Sequence, residues 1–116
     1  MSDLITPAQR DQMLANAHIT VDGVDGDDHY PVVKLFTPDG AATWLLTELD
    51  PDDPDLAFGL CDLGLGEPEI GYVSLKEIAS IRGKLGLSVE RDIGFKADMR
   101  LSRYAKIAGA AGTILT

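Results

Sequence analysis

The chain has 116 residues, of which 45% are apolar, a size that suits one domain with one modest core rather than two independently folding halves. Nineteen acidic residues against ten basic ones give a formal net charge of −9, which would repel a nucleic-acid backbone. One cysteine, Cys61, excludes an intramolecular disulfide, and with two histidines it falls far short of a zinc-site pattern.

The first predicted element is a helix within residues 1–20. Thr6 is a natural N-cap, and Gln9 stands three positions later, where it completes a capping box. Proline is favoured at the first helical position, so the helix should begin at Pro7 and extend to about Ala17.

An acidic loop over residues 21–30 (VDGVDGDDHY) is predicted to lead into a sheet core over residues 31–97. "PVVKLFT" and "AATWLLTEL" predict a β-hairpin, and "PDG" between them predicts a turn in which Gly has positive φ. In the second strand, alternation should place Trp44, Leu46 and Glu48 on the same face. "LAFGLCDL" is apolar on both faces and predicts an interior strand, and "EIGYV" predicts the next strand.

A helix over residues 75–82 should cross this sheet, because "VSLKEI" satisfies the capping-box rule through Ser74 and Glu77. These two side chains are therefore expected to stabilise the helix rather than to serve as nucleophile and base. Gly83 is expected to end the helix.

"SVERDIGFKA" predicts a final strand, and residues 98–116 predict a short basic C-terminal helix followed by a tail. The expected fold is α+β: a single antiparallel sheet of about five strands with an N-terminal helix, a crossing helix and a short C-terminal helix.

The charged residues at the start of the final strand have two interpretations. They could protect an edge strand through charge and local ion pairs. They could instead meet polar and aromatic residues at one end of the sheet to form a recognition site. The binding cluster of this second hypothesis comprises Trp44, Glu48, Tyr72, Arg82, Glu90, Arg91 and Asp92.

The acidic charge is concentrated in the middle of the chain: thirteen Asp and Glu lie between Asp22 and Glu69, where Lys34 is the one basic residue. Solubility alone would explain this charge, but it also favours a basic partner. The predicted acidic docking surface comprises Asp50, Asp52, Asp53 and Asp55.

No P-loop, nucleophile elbow, zinc-protease motif or paired-cysteine motif occurs in the sequence. The "DPDDPD" segment lacks the spacing and the glycine of an EF-hand loop, so no metal or other cofactor is predicted. The first residues have no basic region followed by an apolar run, and no stretch is long enough to span a bilayer, which favours a cytoplasmic protein.

The segments "LFTPDGAATWLLTELDPDD", "FGLCDLGLGEPEIGYVSLKEIASIRGKLGLSVERDIGF" and "LSRYA" resemble the bacterial domain of unknown function 2958 over roughly Pro31 to Ala105. Members of that family are small proteins often encoded on conjugative plasmids, integrative elements and phage-derived DNA. The resemblance implies an accessory function in plasmid maintenance, transfer or conflict with host defences. The positions of this chain that match the family pattern are Thr43, Trp44, Glu48, Gly71, Tyr72, Ser74, Arg82, Gly83, Glu90, Arg91 and Asp92.

Three functions remain open. The expected one is a non-catalytic regulatory protein that docks through its acidic surface on a basic protein, as a toxin neutraliser or nuclease inhibitor would. The second is a small hydrolytic enzyme with Glu48 or Glu90 as acid/base and Arg82 or Arg91 holding an anion. The third is nucleic-acid binding through the basic C-terminal helix, against which the net charge argues.

Overall fold

The computed structural model describes residues 4–21 and 28–116 of the chain. Most of the predicted acidic loop, residues 22–27, lies outside the described residues. The elements in chain order are α1 (Pro7–Val21), β1 (Val33–Phe36), β2 (Thr43–Leu49), β3 (Leu56–Asp62), β4 (Glu69–Ser74), α2 (Leu75–Ser80), β5 (Glu90–Arg91) and α3 (Leu101–Ala111). The strands form one antiparallel sheet in the order β4-β3-β2-β1-β5, which confirms the predicted α+β fold.

Helix α1 starts with the predicted capping box. The Gln9 backbone N–H donates to the Thr6 hydroxyl oxygen (3.1 Å), and the Thr6 N–H donates to the Gln9 side-chain oxygen (2.9 Å). The helix continues to Val21, one turn beyond the predicted end at Ala17, because the sequence has no glycine or proline between Ala17 and Gly23.

Both faces of the sheet are covered by helices. On one face Met13 of α1 and Ile78 of α2 belong to the same buried cluster as Trp44 of β2. On the other face α3 contributes Tyr104 to a cluster with Leu45 of β2 and further buried residues. Neighbouring residues of one strand thus enter two different cores, as the period-two pattern requires.

A β-bulge in β2 interrupts the alternation of that strand, so the predicted face of Glu48 was wrong. The register with β3 shifts between Leu46 and Glu48, so that Glu48 lies opposite Phe58 instead of continuing the face of Leu46. A bulge adds one residue to one strand and thereby moves the next side chain to the other face. Glu48 consequently lies on the face that α3 covers, whereas Trp44 lies on the α1 face.

The bulge also anchors α1. The buried Asn16 side-chain amide donates to the Thr47 carbonyl (2.8 Å), and its oxygen accepts from the Gln12 side chain (2.8 Å). The Thr47 hydroxyl donates to the Phe58 carbonyl (3.2 Å). A buried carbonyl displaced from the regular ladder therefore has a partner from the helix, which avoids the cost of an unsatisfied polar group.

Three details of the predicted turns and ends were wrong. Gly40 of the hairpin turn does not adopt positive φ; instead, a Cβ there would come within 2.8 Å of the Thr37 hydroxyl oxygen. Helix α2 ends at Ser80 with Ile81 as C-cap, and Gly83 instead lies against the Asp39 carboxylate, which accepts from the Leu85 N–H (2.6 Å). A side chain at Gly83 would collide with that carboxylate.

The final strand is shorter than predicted. β5 contains only Glu90 and Arg91, and the chain turns at Asp92, whose side chain accepts from the Gly94 N–H (3.0 Å) and whose carbonyl accepts from the Phe95 N–H (3.2 Å). This Asx-type turn stops the strand.

Helix α3 has its N-terminus capped by a residue remote in sequence. The Arg100 side chain makes no capping hydrogen bond. The Asp28 carboxylate instead accepts from the Ser102 N–H (3.0 Å) and from the Ser102 hydroxyl (2.6 Å). Burial raises the pKa of Asp28, but the Ser102 hydrogen bonds and the nearby Arg100 charge outweigh it, and the net pKa is lowered. Across residues 4–21 and 28–116 no helix is long and apolar enough to cross a membrane.

Candidate functional site

The structure divides the predicted binding cluster between the two edges of the sheet. Tyr72 lies on β4 at one edge, and Glu90 and Arg91 lie on β5 at the other. Four strand spacings separate these edges, a distance of roughly 19 Å. Trp44 lies between them on β2 with only 2% of its surface exposed, so its role is in the core.

Arg82 stabilises the end of α2. Its guanidinium donates to the carbonyls of Ala79 (2.9 Å) and Ile81 (2.8 Å). A cation at this position satisfies carbonyls that have no partner within the helix. This bonding explains Arg82 without a ligand.

Three members of the predicted cluster do lie together. Glu90, Arg91 and Asp92 line a shallow depression beside β1, where the Lys34 ammonium is 3.6 Å from the Asp92 carboxylate. A partly exposed ion pair of this kind contributes little to stability. The depression mixes both signs of charge, as expected of a protected edge.

The other two members, Glu48 and Tyr72, are brought onto one face by the bulge. Glu48, Phe58 and Tyr72 form a row across three strands, since each lies opposite the next in the register. The rings of Phe58 and Tyr72 are 5.1 Å apart, centroid to centroid, at 59°. Glu48 is nearly buried, and its carboxylate lies 4.0 Å from the His29 imidazole.

Glu48 and Tyr72 also line one cleft with two residues of the predicted docking surface. This acidic cleft has a volume of about 460 Å³. Its lining residues are Ala17, His18, Glu48, Leu49, Asp50, Pro51, Asp52 and Tyr72. Three carboxylates and one aromatic ring that is 62% exposed therefore converge at the end of β2.

The loop that carries the docking residues is held by its own side chains. The Asp50 carboxylate accepts from the Asp52 N–H (2.8 Å), and the Asp53 carboxylate accepts from the Asp55 N–H (3.2 Å). These are successive Asx turns. The backbone of the loop is thus organised before any partner arrives, and the side chain of Asp52 is left exposed.

Asp55 differs from its neighbours because it helps to cap α2. Its carboxylate accepts from the Ser74 hydroxyl (2.6 Å) and from the Lys76 N–H (2.9 Å), while Ser74 accepts from the Glu77 N–H (3.2 Å). The Ser74 hydroxyl and the Lys76 N–H lower the pKa of Asp55. The predicted structural role of Ser74 is confirmed, and Asp55 shares it.

We expect Asp55→Ala to lower the free energy of unfolding by about 1 kcal/mol, because two donors at the start of α2 lose their acceptor. Asp52→Ala is the matched control: it removes the same carboxylate from the same loop but no capping bond, so its effect should stay within about 0.5 kcal/mol. Urea unfolding followed by circular dichroism measures both. Equal effects of the two substitutions would show that Asp55 does not act as a cap.

Cys61 has little chemical reactivity in this fold. Burial, with the Glu69 charge as a second cause, raises the pKa of its thiol to about 11. A thiol with such a pKa is almost entirely protonated near neutral pH, and the thiolate is the nucleophile. Within the part of the chain that the structure describes, no group of three or more His, Cys, Asp or Glu residues could hold a metal ion.

Sequence reasoning missed Phe58, His18 and His29 as neighbours of Glu48. The cleft depends on the bulge at Thr47, and no glycine in β2 marks that bulge in the sequence. A conventional alternation places Glu48 on the opposite face, away from Phe58 and Tyr72. The sequence signal that was available for the cleft is the alternation in β4, where Ile70 and Tyr72 lie two positions apart and therefore share one face.

Comparison with known proteins gives a single kind of match. Neither curated proteins nor solved structures match the chain. The family described as "Protein of unknown function (DUF2958)" matches residues 4–115. This match spans nearly the whole chain and includes the acidic cleft, both sheet edges and the three helices of the described residues. The chain therefore belongs to the DUF2958 family.

Proposed function

We propose that the protein is a non-catalytic binding protein that docks a basic protein partner through the acidic cleft and the adjoining loop of residues 50–55. The observation that carries this proposal is the convergence of Glu48, Asp50 and Asp52 with the exposed ring of Tyr72 in one cleft. Carboxylates beside an aromatic face suit a lysine or arginine side chain, through ion pairing and cation–π attraction.

Two further properties support the proposal. The Asx turns at Asp50 and Asp53 fix the loop in advance, which reduces the conformational entropy lost on binding. The net charge of −9 also accelerates encounter with a positively charged surface.

The family resemblance supports an accessory role in a mobile genetic element, and a cytoplasmic location is part of the proposal. A basic partner in that setting would be a toxin or a nucleic-acid enzyme, since such enzymes carry positive surfaces that bind phosphates. The protein would then act by occupying the positive surface and excluding nucleic acid from it.

The hydrolytic alternative has less support from the geometry. Glu90 lies opposite Phe36, which in turn lies opposite Thr43, five residues before Glu48 in β2. Strand spacing and rise place Glu48 and Glu90 on the order of 20 Å apart, beyond the reach of one substrate bond. Arg82 is occupied by helix carbonyls.

We expect a complex purified from the host at low salt to contain one basic protein in fixed stoichiometry and to dissociate as salt rises. Native mass spectrometry of the tagged protein measures the stoichiometry, and titration calorimetry with the identified partner measures its affinity. Asp50→Asn/Asp52→Asn should weaken binding at least tenfold, and asparagine at position 50 keeps the acceptor of the Asx turn.

The matched control is Asp11→Asn/Glu90→Gln, which removes the same net charge from exposed positions on α1 and on the opposite sheet edge. It should change affinity less than threefold. Equal losses in the two variants would attribute binding to net charge rather than to the cleft. No loss in either would overturn the proposed function.

A further inference from the structure

We propose that the open edge of β4 pairs with an extended basic segment of the partner, so that the partner adds a sixth strand beside the acidic cleft. The inference rests on the proposed function and specifies how the partner would bind. It follows from the direction of backbone groups in β4, from the exposed side chains there and from the charges around them.

The alternation of hydrogen-bonded and non-hydrogen-bonded pairs shows which backbone groups of β4 face outward. The Leu75 N–H donates to the Asp55 carbonyl (2.9 Å), which continues the β3–β4 ladder by one position. Bonded pairs alternate in an antiparallel ladder, so Gly71 bonds to β3 while Ile70 and Tyr72 direct their N–H and C=O groups away from it.

The β2–β3 pairing independently gives the same assignment of outward-facing residues in β4. The Asp50 N–H donates to the Leu56 carbonyl (2.9 Å), so Leu56 and, two positions on, Phe58 direct their backbone groups towards β2. Phe58 lies opposite Tyr72 in the β3–β4 register. The Tyr72 groups therefore face outward, where no described strand pairs with them.

Of the two edges of the sheet, β4 is better suited than β5 to accept an added strand. β5 has only two residues, both charged, which is a common protection against edge pairing. β4 has six residues, with Ile70 46% exposed and Tyr72 62% exposed. A long edge with exposed apolar side chains is the kind that accepts an additional strand.

The carboxylates around β4 favour a basic segment as the added strand. Glu67 precedes β4 and Glu69 is its first residue, and Asp52 of the acidic cleft lies near the other end of β4, where Tyr72 lines the same cleft. Residues 63–75 contain no lysine or arginine. A second copy of the chain would bring a second set of these carboxylates to the edge, whereas a strand with alternating basic side chains would neutralise them.

The test uses a blocked eight-residue peptide of alternating arginine and valine, titrated into the isotope-labelled full chain and followed by NMR. The expected result is a shift and slowed exchange of the Ile70 and Tyr72 amides. A peptide of the same sequence with every backbone amide N-methylated lacks donors for the ladder and should bind at least fivefold more weakly. An alternating glutamate–valine peptide should not bind.

A pair of variants isolates the backbone contribution. Tyr72→Pro removes an outward N–H without removing a bond to β3, and Tyr72→Thr removes the same ring but keeps that N–H. Tyr72→Pro should weaken peptide binding at least fivefold more than Tyr72→Thr does. Circular dichroism checks that both variants are folded.

The outcomes separate this inference from the proposed function. Peptide binding that depends on Asp50 and Asp52 but leaves the Ile70 and Tyr72 amides unchanged would overturn the edge pairing and keep the acidic docking. Shifts of those amides with protein concentration alone, together with dimers in sedimentation, would overturn it in favour of a second copy. Equal binding of the methylated and unmethylated peptides would also overturn it.

Discussion

Replacing Gly59 by alanine is expected to destabilise the protein by roughly 3 kcal/mol or more, at the upper end of what overpacking a core costs. Gly59 lies in β3 with β2 and β4 on either side. A Cβ at this position would overlap the Leu45 carbonyl oxygen and approach the Leu46 Cα to 2.8 Å. These are backbone atoms, so no side-chain rotation can relieve the collision, and the bulged β2 strand would have to move.

The matched control for Gly59→Ala is Gly71→Ala. Gly71 lies directly opposite Gly59 in the register, yet a Cβ there would meet nothing within 4 Å. Its effect should stay within about 0.5 kcal/mol. Urea unfolding monitored by Trp44 fluorescence measures both variants. If the two variants lost similar stability, the collision with β2 would not be the cause of the loss.

Replacing Asp62 by alanine is expected to lower the free energy of unfolding by roughly 2–3 kcal/mol, since several donors lose their acceptor at once. The buried Asp62 carboxylate accepts from the Gly64 N–H (2.8 Å), from the Thr113 hydroxyl (2.9 Å) and from the Ile114 N–H (3.0 Å). It thereby joins the end of β3 to the segment after α3.

The same carboxylate should contribute to the acid sensitivity of the fold. Burial raises the pKa of Asp62, but the hydrogen bonds from Ile114, Gly64 and Thr113 outweigh it and lower the net pKa below 3.8. A lowered folded-state pKa stabilises the protein fully above the unfolded-state value. This contribution is then lost as pH falls below about 4 and through the folded-state pKa.

Urea unfolding of the wild type and of Asp62→Asn between pH 2.5 and pH 7 tests this expectation. Asparagine has a similar shape but does not titrate, so the difference in stability between the two proteins should shrink as pH falls below about 4. A difference that is constant over the whole range would mean that the charge of Asp62 contributes nothing. Thr113→Val is a second control, because it removes one donor and keeps the carboxylate.

The parts of the fold that depend on neighbouring residues were predictable from the sequence. The capping box at Thr6 and the N-cap at Ser74 involve residues three positions apart, and the first hairpin joins adjacent strands. Their signals are local and appear directly in the sequence. The sheet of five strands followed from these elements and from the apolar pattern of β3.

The parts that depend on remote contacts were not predictable. Asp28 caps a helix whose first turn lies 74 positions later, and Asp39 occupies the space beside Gly83. In the candidate site, Glu48 and Tyr72 line one cleft, whereas Trp44 is buried and Arg82 binds carbonyls. Alternation alone cannot reveal a bulge, and a bulge decides which face Glu48 occupies.

The remote cap of α3 also constrains the order in which the nascent chain can fold. Asp28 leaves the ribosome long before Ser102, so its carboxylate has no helix to cap during most of synthesis. Leu45 and Leu60, which α3 covers in the finished protein, stay exposed to solvent over the same period. One face of the sheet is therefore completed only after α3 has left the ribosome, and until then its apolar residues are available to chaperones.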